Sequence, residues 1–482
     1  MTKRLSSCLA LSVVLLTGCT MIPKYTRPEA PVPVNWPSGP AYKETLAAKE
    51  APAAADLRWR QFFTDERLQK IIATALENNR DLRIAALNVE RARALYRIQR
   101  AELLPTVDTG FTALKQRVRI SDGDRGDGLV TLEEYSVNLG VSSWEIDFFG
   151  RIRSLSKSAL EEYFATEQAR RSAQILLISE VANAYLTLAA DRENLKLARS
   201  TLETQQAAYD LIRRRFEVGL APELDLRQVQ TRVDAARVDV ARFTELAAQD
   251  ENALDLLAGT PVPADLLPEE LSVVQPLPDV SPGTSSEVLL SRPDILQAEN
   301  LLRAANANIG AARAAFFPRI ALTTAVGSAS GDLSGLFASG TFVWNYAPRV
   351  VMPIFDARTW SALKASKVER EIALAQYERA IQVAFREVAD ALARRGTLGD
   401  QMEAQQSLLE ATARAYQLSN ARYEKGIDIY LNVLDAQRSL YAAQQGLIAI
   451  RLAKLANQVR LYAVLGGGAD VGTSPAGRYA GL

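Results

Sequence analysis

Apolar and polar positions along this 482-residue chain follow three rhythms, and each predicts a different kind of element. The first is helical, over about 66–79 and 82–103, and Pro105 ends the pair. The second has period two, the signature of a strand with one apolar face. Tyr135, Val137, Leu139 and Val141 alternate with Ser136, Asn138, Gly140 and Ser142, which predicts a strand over about 132–147. Phe342, Trp344, Tyr346, Pro348 and Val350 alternate in the same way within about 340–355. Weaker partner strands are expected at about 106–119 and 319–330, with the Gly/Asp/Ser-rich stretches 121–131 and 329–339 as connecting loops. The third rhythm is an unbroken run of helix formers. Neither Gly nor Pro occurs from Arg151 to Val218, enough for a helix about 100 Å long. Gly219-Leu220-Ala221-Pro222 turns the chain into a second long segment, 223–258, stopped by Gly259. Segments 357–424 and 430–465 repeat that plan, and Gly396 and Gly399 are expected to break the former. Helices of this length cannot be buried in one compact domain and read as coiled-coil hairpins.

The pattern is written twice. At an offset of 213, Asn79-Arg80-Asp81-Leu82 aligns with Arg292-Pro293-Asp294-Ile295, and Pro105 with Pro318. At an offset of 207, Phe216-Glu217-Val218-Gly219 aligns with Tyr423-Glu424-Lys425-Gly426, Leu224 with Leu431, and Gly259 with Gly466. Correspondence sustained over so many positions marks a tandem duplication. The organisation expected is 1–18 signal peptide, 19–60 strap, 61–260 first repeat, 261–285 linker, 286–466 second repeat and 467–482 tail.

The N-terminus carries an address. Lys3 and Arg4 precede the apolar run Leu9–Leu16, far too short to cross a bilayer as a helix. The run ends in Leu16-Thr17-Gly18-Cys19, which resembles the lipobox of bacterial lipoproteins; that resemblance implies cleavage before Cys19 and acylation of its thiol and new N-terminus. Two or three acyl chains provide the multiple membrane signals that stable anchoring needs. The Pro/Ala-rich segment 21–52 follows as either an extended strap or a disordered leader. No other segment holds 18 uninterrupted apolar residues, so a membrane-spanning part is expected to use strands.

Composition narrows the chemistry. Lys and Arg number 56 against 56 Asp and Glu, and His is absent. Zero net charge argues against nucleic-acid binding. Without His, a Ser-His-Asp or Cys-His nucleophile system is impossible, so no enzyme, no cofactor beyond the Cys19 lipid and no metal are expected. One echo of a Ca²⁺ loop, Asp122-Gly123-Asp124-Arg125-Gly126-Asp127-Gly128, has Asp127 at the position that needs Gly, and strands flank it. An exposed acidic loop is the simpler reading.

Four amphipathic strands cannot close a barrel, because the smallest single-chain outer-membrane barrels need about eight, and lipid tolerates no open sheet edge. Three chains would supply twelve strands. The internal repeat then gives a pseudo-six-fold wall, which the long helices extend as a tube.

At this point the sequence resembles the outer-membrane factor family, the TolC-like channels, and especially its OprM-like lipoprotein branch. The resemblance covers nearly the whole mature chain. It is carried by LTGC at 16–19, IPKYTRPEAP at 22–31, Trp144-Glu145-Ile146-Asp147-Phe148-Phe149-Gly150-Arg151, Arg292-Pro293-Asp294, Val351-Met352-Pro353-Ile354-Phe355-Asp356 and Leu434-Asp435-Ala436-Gln437-Arg438-Ser439-Leu440. It implies an α+β membrane protein: a homotrimeric twelve-stranded transmembrane β-barrel, four strands per chain, continued by a long periplasmic α-helical coiled-coil barrel. It implies location in the outer membrane, held by lipid, and work as the exit duct of a tripartite drug efflux machine. The partners implied are a periplasmic adaptor and an inner-membrane pump of the proton-driven resistance-nodulation-division type. A duct for type I protein secretion and a periplasmic coiled-coil scaffold lipoprotein are the alternatives.

The two hairpin turns, 216–226 and 423–435, are expected together at the periplasmic tip. Six such turns around an axis bring like carboxylates together, forming an anionic ring with raised pKa values. Matched on the Gly of each turn, the resemblance puts Asp435 and Asp225 at carboxylate positions, Tyr423 at a linking Tyr and Leu431 at an apolar ring. Asn432 replaces a second Asp of TolC, and Asp428 replaces its linking Arg. A Leu431 plug above Asp435 is therefore the expected gate. Gly219, Leu220, Ala221, Pro222, Gly426 and Ile427 are the expected adaptor contact, since small residues permit close backbone approach.

Overall fold

A computed structural model describes residues 20–43, 51–122, 126–283 and 285–469. The signal peptide, Cys19, residues 123–125 of the acidic loop and most of the C-terminal tail lie outside the described residues. In chain order the elements are α1 (Trp59–Phe62), α2 (Glu66–Asn78), α3 (Arg80–Ala101), β1 (Val107–Asp122), β2 (Gly126–Glu145), α4 (Arg151–Glu217), α5 (Glu223–Ala258), α6 (Pro293–Ala314), β3 (Arg319–Ser330), β4 (Phe342–Val351), α7 (Ala357–Glu424) and α8 (Tyr430–Val464). The chain divides into two compact units: Met1–Glu29, Asn88–Thr166 and Gln297–Tyr377 form one, and Ala30–Leu87, Glu167–Leu296 and Glu378–Leu482 the other.

The first unit holds a single antiparallel sheet in the order β1-β2-β3-β4. Directly opposed residues of antiparallel strands point to the same face. Thr109, Leu139, Val326 and Trp344 therefore form one row across all four strands, and Phe111, Val137, Ser328 and Phe342 another. This apolar face is bare within the chain: Phe111, Leu139, Phe342, Trp344 and Tyr346 are all at least half exposed. The opposite face carries small and polar residues, Asn138, Gly140, Ala325 and Asn345 among them. Among the described residues β1 and β4 are both open edges. The first hairpin differs from its expected form, since pairing runs on to Asp122↔Gly126 and most of 121–131 is strand. A continuous supply of ladder partners outweighs the poor strand propensity of its Gly and Asp residues.

Ion pairs anchor the strand-to-helix junctions of this unit. Glu145, at the end of β2, accepts a bidentate pair of hydrogen bonds from Arg151 at 2.8 and 2.9 Å and a further one from Arg319. Asp147 accepts the Arg153 amide at 2.9 Å, and Asp356 accepts the Arg358 amide at 2.9 Å, so α4 and α7 each start on a carboxylate.

Residues 20–29 lie along this unit as a strap. Asn306 donates to the Pro23 carbonyl at 2.8 Å. Glu299, 2% exposed, receives Tyr25 Oη at 3.2 Å, Arg303 at 2.7 Å and Arg27. Burial, then the Glu299 charge, push the Tyr25 hydroxyl up to about 12. Burial alone would raise Glu299, but hydrogen bonds from Arg27 and Arg303 override it and hold the carboxyl below its usual range.

In the second unit the duplication is visible as equivalent hydrogen bonds. Asn79 Nδ2 donates to the Leu257 carbonyl at 3.0 Å, and Arg292 Nη1 to the Val464 carbonyl at 2.7 Å. Donor and acceptor match in both copies by the repeat offsets, so each joint ties the start of a helix to the end of a hairpin. Arg292 also binds Asp294 and Glu387, which explains the Arg-Pro-Asp motif. Phe62 stacks on Tyr462 at 4.0 Å in the apolar core. One stretch of α4 is apolar enough to cross a membrane by length and composition. Its Leu177, Ile178, Val181, Ala182, Tyr185 and Leu188 are buried against the protein instead.

α7 is continuous for 68 residues, so the break expected at Gly396 and Gly399 does not occur. Gly396 serves close approach: any Cβ there would collide with the Ala41 carbonyl as the strap crosses the helix backbone. The strap is further held in this unit by Ser286 N–H to the Val34 carbonyl at 2.7 Å and by Trp36 stacked on Phe385 at 5.3 Å.

Candidate functional site

Both long hairpins end in the same backbone device. In the first, Gly219 N–H bonds the Phe216 carbonyl at 2.9 Å and Leu220 N–H the Arg215 carbonyl at 2.7 Å. In the second, Gly426 bonds Tyr423 at 2.9 Å and Ile427 bonds Arg422 at 3.0 Å. These are Schellman motifs, which require a left-handed residue just past the helix. Gly219 and Gly426 have φ of 76° and 72° with open space where a Cβ would stand, so conformation rather than crowding selects glycine.

The turns share one apolar core made of Ile212, Leu226, Val229, Tyr430, Val433 and Leu434, all buried, with Tyr423 against it. Tyr423 lies 4.9 Å from Tyr430, ring to ring. Its hydroxyl accepts from Arg215 Nη1 at 3.0 Å, and the Arg215 guanidinium stands 5.8 Å from its ring. This clip joins the first hairpin to the second within one chain. Its origin lies in divergence between the copies. Arg422, the repeat equivalent of Arg215, finds Asp428 inside its own turn at 2.5 Å. The position equivalent to Asp428 is Ala221; Glu217 and Glu223 of that turn pair with Arg213 and Arg227 instead, and Arg215 reaches across to Tyr423. The Arg422 hydrogen bond holds the Asp428 carboxyl below the usual carboxylate range.

Leu431 and Asp435 stand one turn apart on one face of α8, both exposed. Asp435 is not a bare carboxylate: Arg438 binds it at 2.6 Å, which tempers the purely anionic ring expected. Asp225 is half buried in the first turn of α5, its amide on the Pro222 carbonyl at 3.1 Å. Among the expected adaptor-contact residues, Gly219, Leu220, Pro222, Gly426 and Ile427 are exposed and Ala221 is half buried. Leu220 is 78% and Ile427 58% exposed, because the helix position each would cover in a Schellman motif is Arg215 or Arg422. Leu224, the repeat equivalent of Leu431, is 65% exposed and completes an apolar pair that only the repeat alignment signalled.

Two further features had no sequence signal. Arg215 is one. The other is a carboxyl pair, Asp191 of α4 and Asp250 of α5; burial, then the Asp191 charge, push Asp250 up to about 6. Burial also raises Asp191. Among the described residues no group of three or more Cys, Asp or Glu is placed to hold a metal ion.

A sequence profile for outer membrane efflux protein matches the chain twice, over residues 71–260 and 284–467. The chain belongs to that family. It is 50% identical over 470 residues to the toluene efflux pump outer membrane protein TtgC of Pseudomonas putida, covering 97% of this chain and 96% of the relative. The same identity and coverage hold for the antibiotic efflux pump outer membrane protein ArpC of Pseudomonas putida. The crystal structure of the open state of the Neisseria gonorrhoeae MtrE outer membrane channel superposes with a TM-score of 0.81 at 38% identity, covering 95% of this chain and all of that one. The protein is therefore an outer-membrane channel of a tripartite efflux system. Three copies form the channel, each giving four strands to a twelve-stranded barrel and two long hairpins to its periplasmic helical barrel. The bare apolar face and open edges of the sheet are what such a barrel buries in lipid and pairs between chains. A scaffold lipoprotein would need neither.

Proposed function

We propose that this channel is the passive exit duct for drugs and other small toxic compounds, organic solvents among them, and that the paired hairpin tips are its gate. The single observation carrying the gate is the shared tip core, which presents Leu224, Leu431 and the Asp435–Arg438 pair on exposed surface beside the Arg215–Tyr423 clip. In a trimer these become rings around the axis: an apolar constriction that resists wetting, beside charges that select ions. The tip turns dock a periplasmic adaptor through Leu220 and Ile427, which glycine-shaped Schellman turns hold out into solvent. A proton-driven pump of the resistance-nodulation-division type loads the duct from the inner membrane, and the relatives named for toluene and antibiotic efflux support that cargo class. Acylation at Cys19 anchors the strap to the outer membrane. The chain does no chemistry on its cargo and takes no cofactor. Conductance in planar bilayers tests the gate: Leu431→Ala/Asp435→Ala should turn small, cation-selective openings into large ones. A double variant with wild-type conductance would discard this gate.

A further inference from the structure

Outside the tips, one cavity of about 270 Å³ opens in the first unit, lined by Pro23, Ile309, Arg313, Lys367, Val368, Arg370 and Glu371. A water molecule in the liquid occupies about 30 Å³, so this space holds a group larger than phosphate. Three cations line it against one anion, and that anion is taken: Arg370 binds its neighbour Glu371 at 2.9 Å. Arg313 and Lys367 have no carboxylate within 4 Å among the described residues. Arg313 Nη1 instead donates to the Met21 carbonyl at 3.3 Å, two residues from Cys19. Two residues span at most about 7 Å of chain. The cavity also lies seven residues along α7 from Trp360, about 10 Å of helix. Trp360 packs edge-on against Phe316 at 4.9 Å, just before β3 begins, and is 67% exposed. Exposed aromatic rings at the ends of membrane strands mark the headgroup level.

We propose that this cavity binds the phosphate of an anionic phospholipid headgroup from the periplasmic leaflet, with Arg313 and Lys367 as its ligands. Arg313 supplies a planar fork suited to two phosphate oxygens, and Lys367 a point charge. Ile309, Val368 and Pro23 give the glycerol and first methylenes an apolar wall. A bound lipid would fix the base of the strap beside the acylated cysteine. The inference rests on the Cys19 anchor reading only for the depth at which the cavity sits.

Native mass spectrometry of the trimer released from nanodiscs tests it, with equal phosphatidylglycerol and phosphatidylcholine in the discs. Wild type should retain phosphatidylglycerol preferentially, and Arg313→Gln/Lys367→Gln should reduce retention by about tenfold or more, since a hydrogen bond to a charged group is worth that much or more. Arg313→Lys/Lys367→Arg should keep it, which separates loss of charge from a disturbed fold. Equal retention by the Gln double variant, or no preference over phosphatidylcholine, would overturn the site. Displacement by equimolar inorganic phosphate would overturn the lipid assignment. The same spectra weigh the acyl groups on Cys19. Charge-dependent lipid retention by an unacylated chain would uphold the cavity while the anchor reading falls.

Discussion

Tyr423→Phe isolates the clip that joins the two hairpins. The substitution leaves the ring in the tip core and its 5.8 Å approach to the Arg215 guanidinium, and removes only the hydroxyl that accepts from Arg215 at 3.0 Å. A hydrogen bond to a charged group contributes about 1.5–3 kcal/mol. Arg215 is exposed, and solvent screening reduces the figure to about 1 kcal/mol. If the three protomers open together, loss of three clips shifts the closed-to-open equilibrium by about 3 kcal/mol, roughly a hundredfold. Open probability in planar bilayers reads this directly. Arg215→Gln should produce a similar rise, and the double variant should rise no further than either single change, because all three remove one interaction. Additive effects, or a Tyr423→Phe channel as closed as wild type, would refute the argument that this hydrogen bond restrains the tips.

Three other expectations follow from the same geometry. Glu299→Gln keeps the shape of the strap clasp but leaves Arg27 and Arg303 without their anion; both guanidiniums are partly exposed, so the loss is about 2 kcal/mol, seen as faster tryptic cleavage after Lys24 and Arg27. Asp250, raised to about 6 in the folded chain, keeps a proton between about pH 4 and 6 that the unfolded chain has released, so its contribution to stability falls as pH rises through that window. Asp250→Asn should therefore raise the apparent melting temperature at pH 7.5, a gain on the order of 1 kcal/mol after allowance for partial exposure, and the difference should vanish at pH 4. Gly426→Ala forces a Cβ into the left-handed region at φ 72°, costing about 1–2 kcal/mol. Adaptor co-purification should weaken with this variant while trimer assembly is unchanged.

Most of the architecture was legible because its signals are local. Unbroken helix formers between Arg151 and Val218 leave few alternatives to a helix, and the alternation around Leu139 and Trp344 leaves few alternatives to a strand. The repeat made the sheet and hairpins interpretable as a pair. Gly396 was misread because sequence does not reveal whether a helical glycine breaks the helix or admits another backbone, here Ala41. The acidic hairpin was misread because the partner strand, not the residues' own preference, decides how far pairing runs. At the tip, Tyr423, Leu431 and Asp435 could be named from the family resemblance once it was matched on the glycine of each turn. Their partners could not: Arg215 pairs across 208 positions, and Arg438 binds Asp435 through a side-chain geometry that spacing alone leaves open.

The central claim is that the apolar rings at the hairpin tips close this channel. Leu224→Cys/Leu431→Cys places thiols on both exposed positions in a mature chain whose sole natural cysteine is the expected lipid site. Single-channel conductance under oxidising conditions should fall to near zero as the thiols cross-link, and recover fully when a reductant is added. Cross-linked trimers that conduct like wild type would contradict the account.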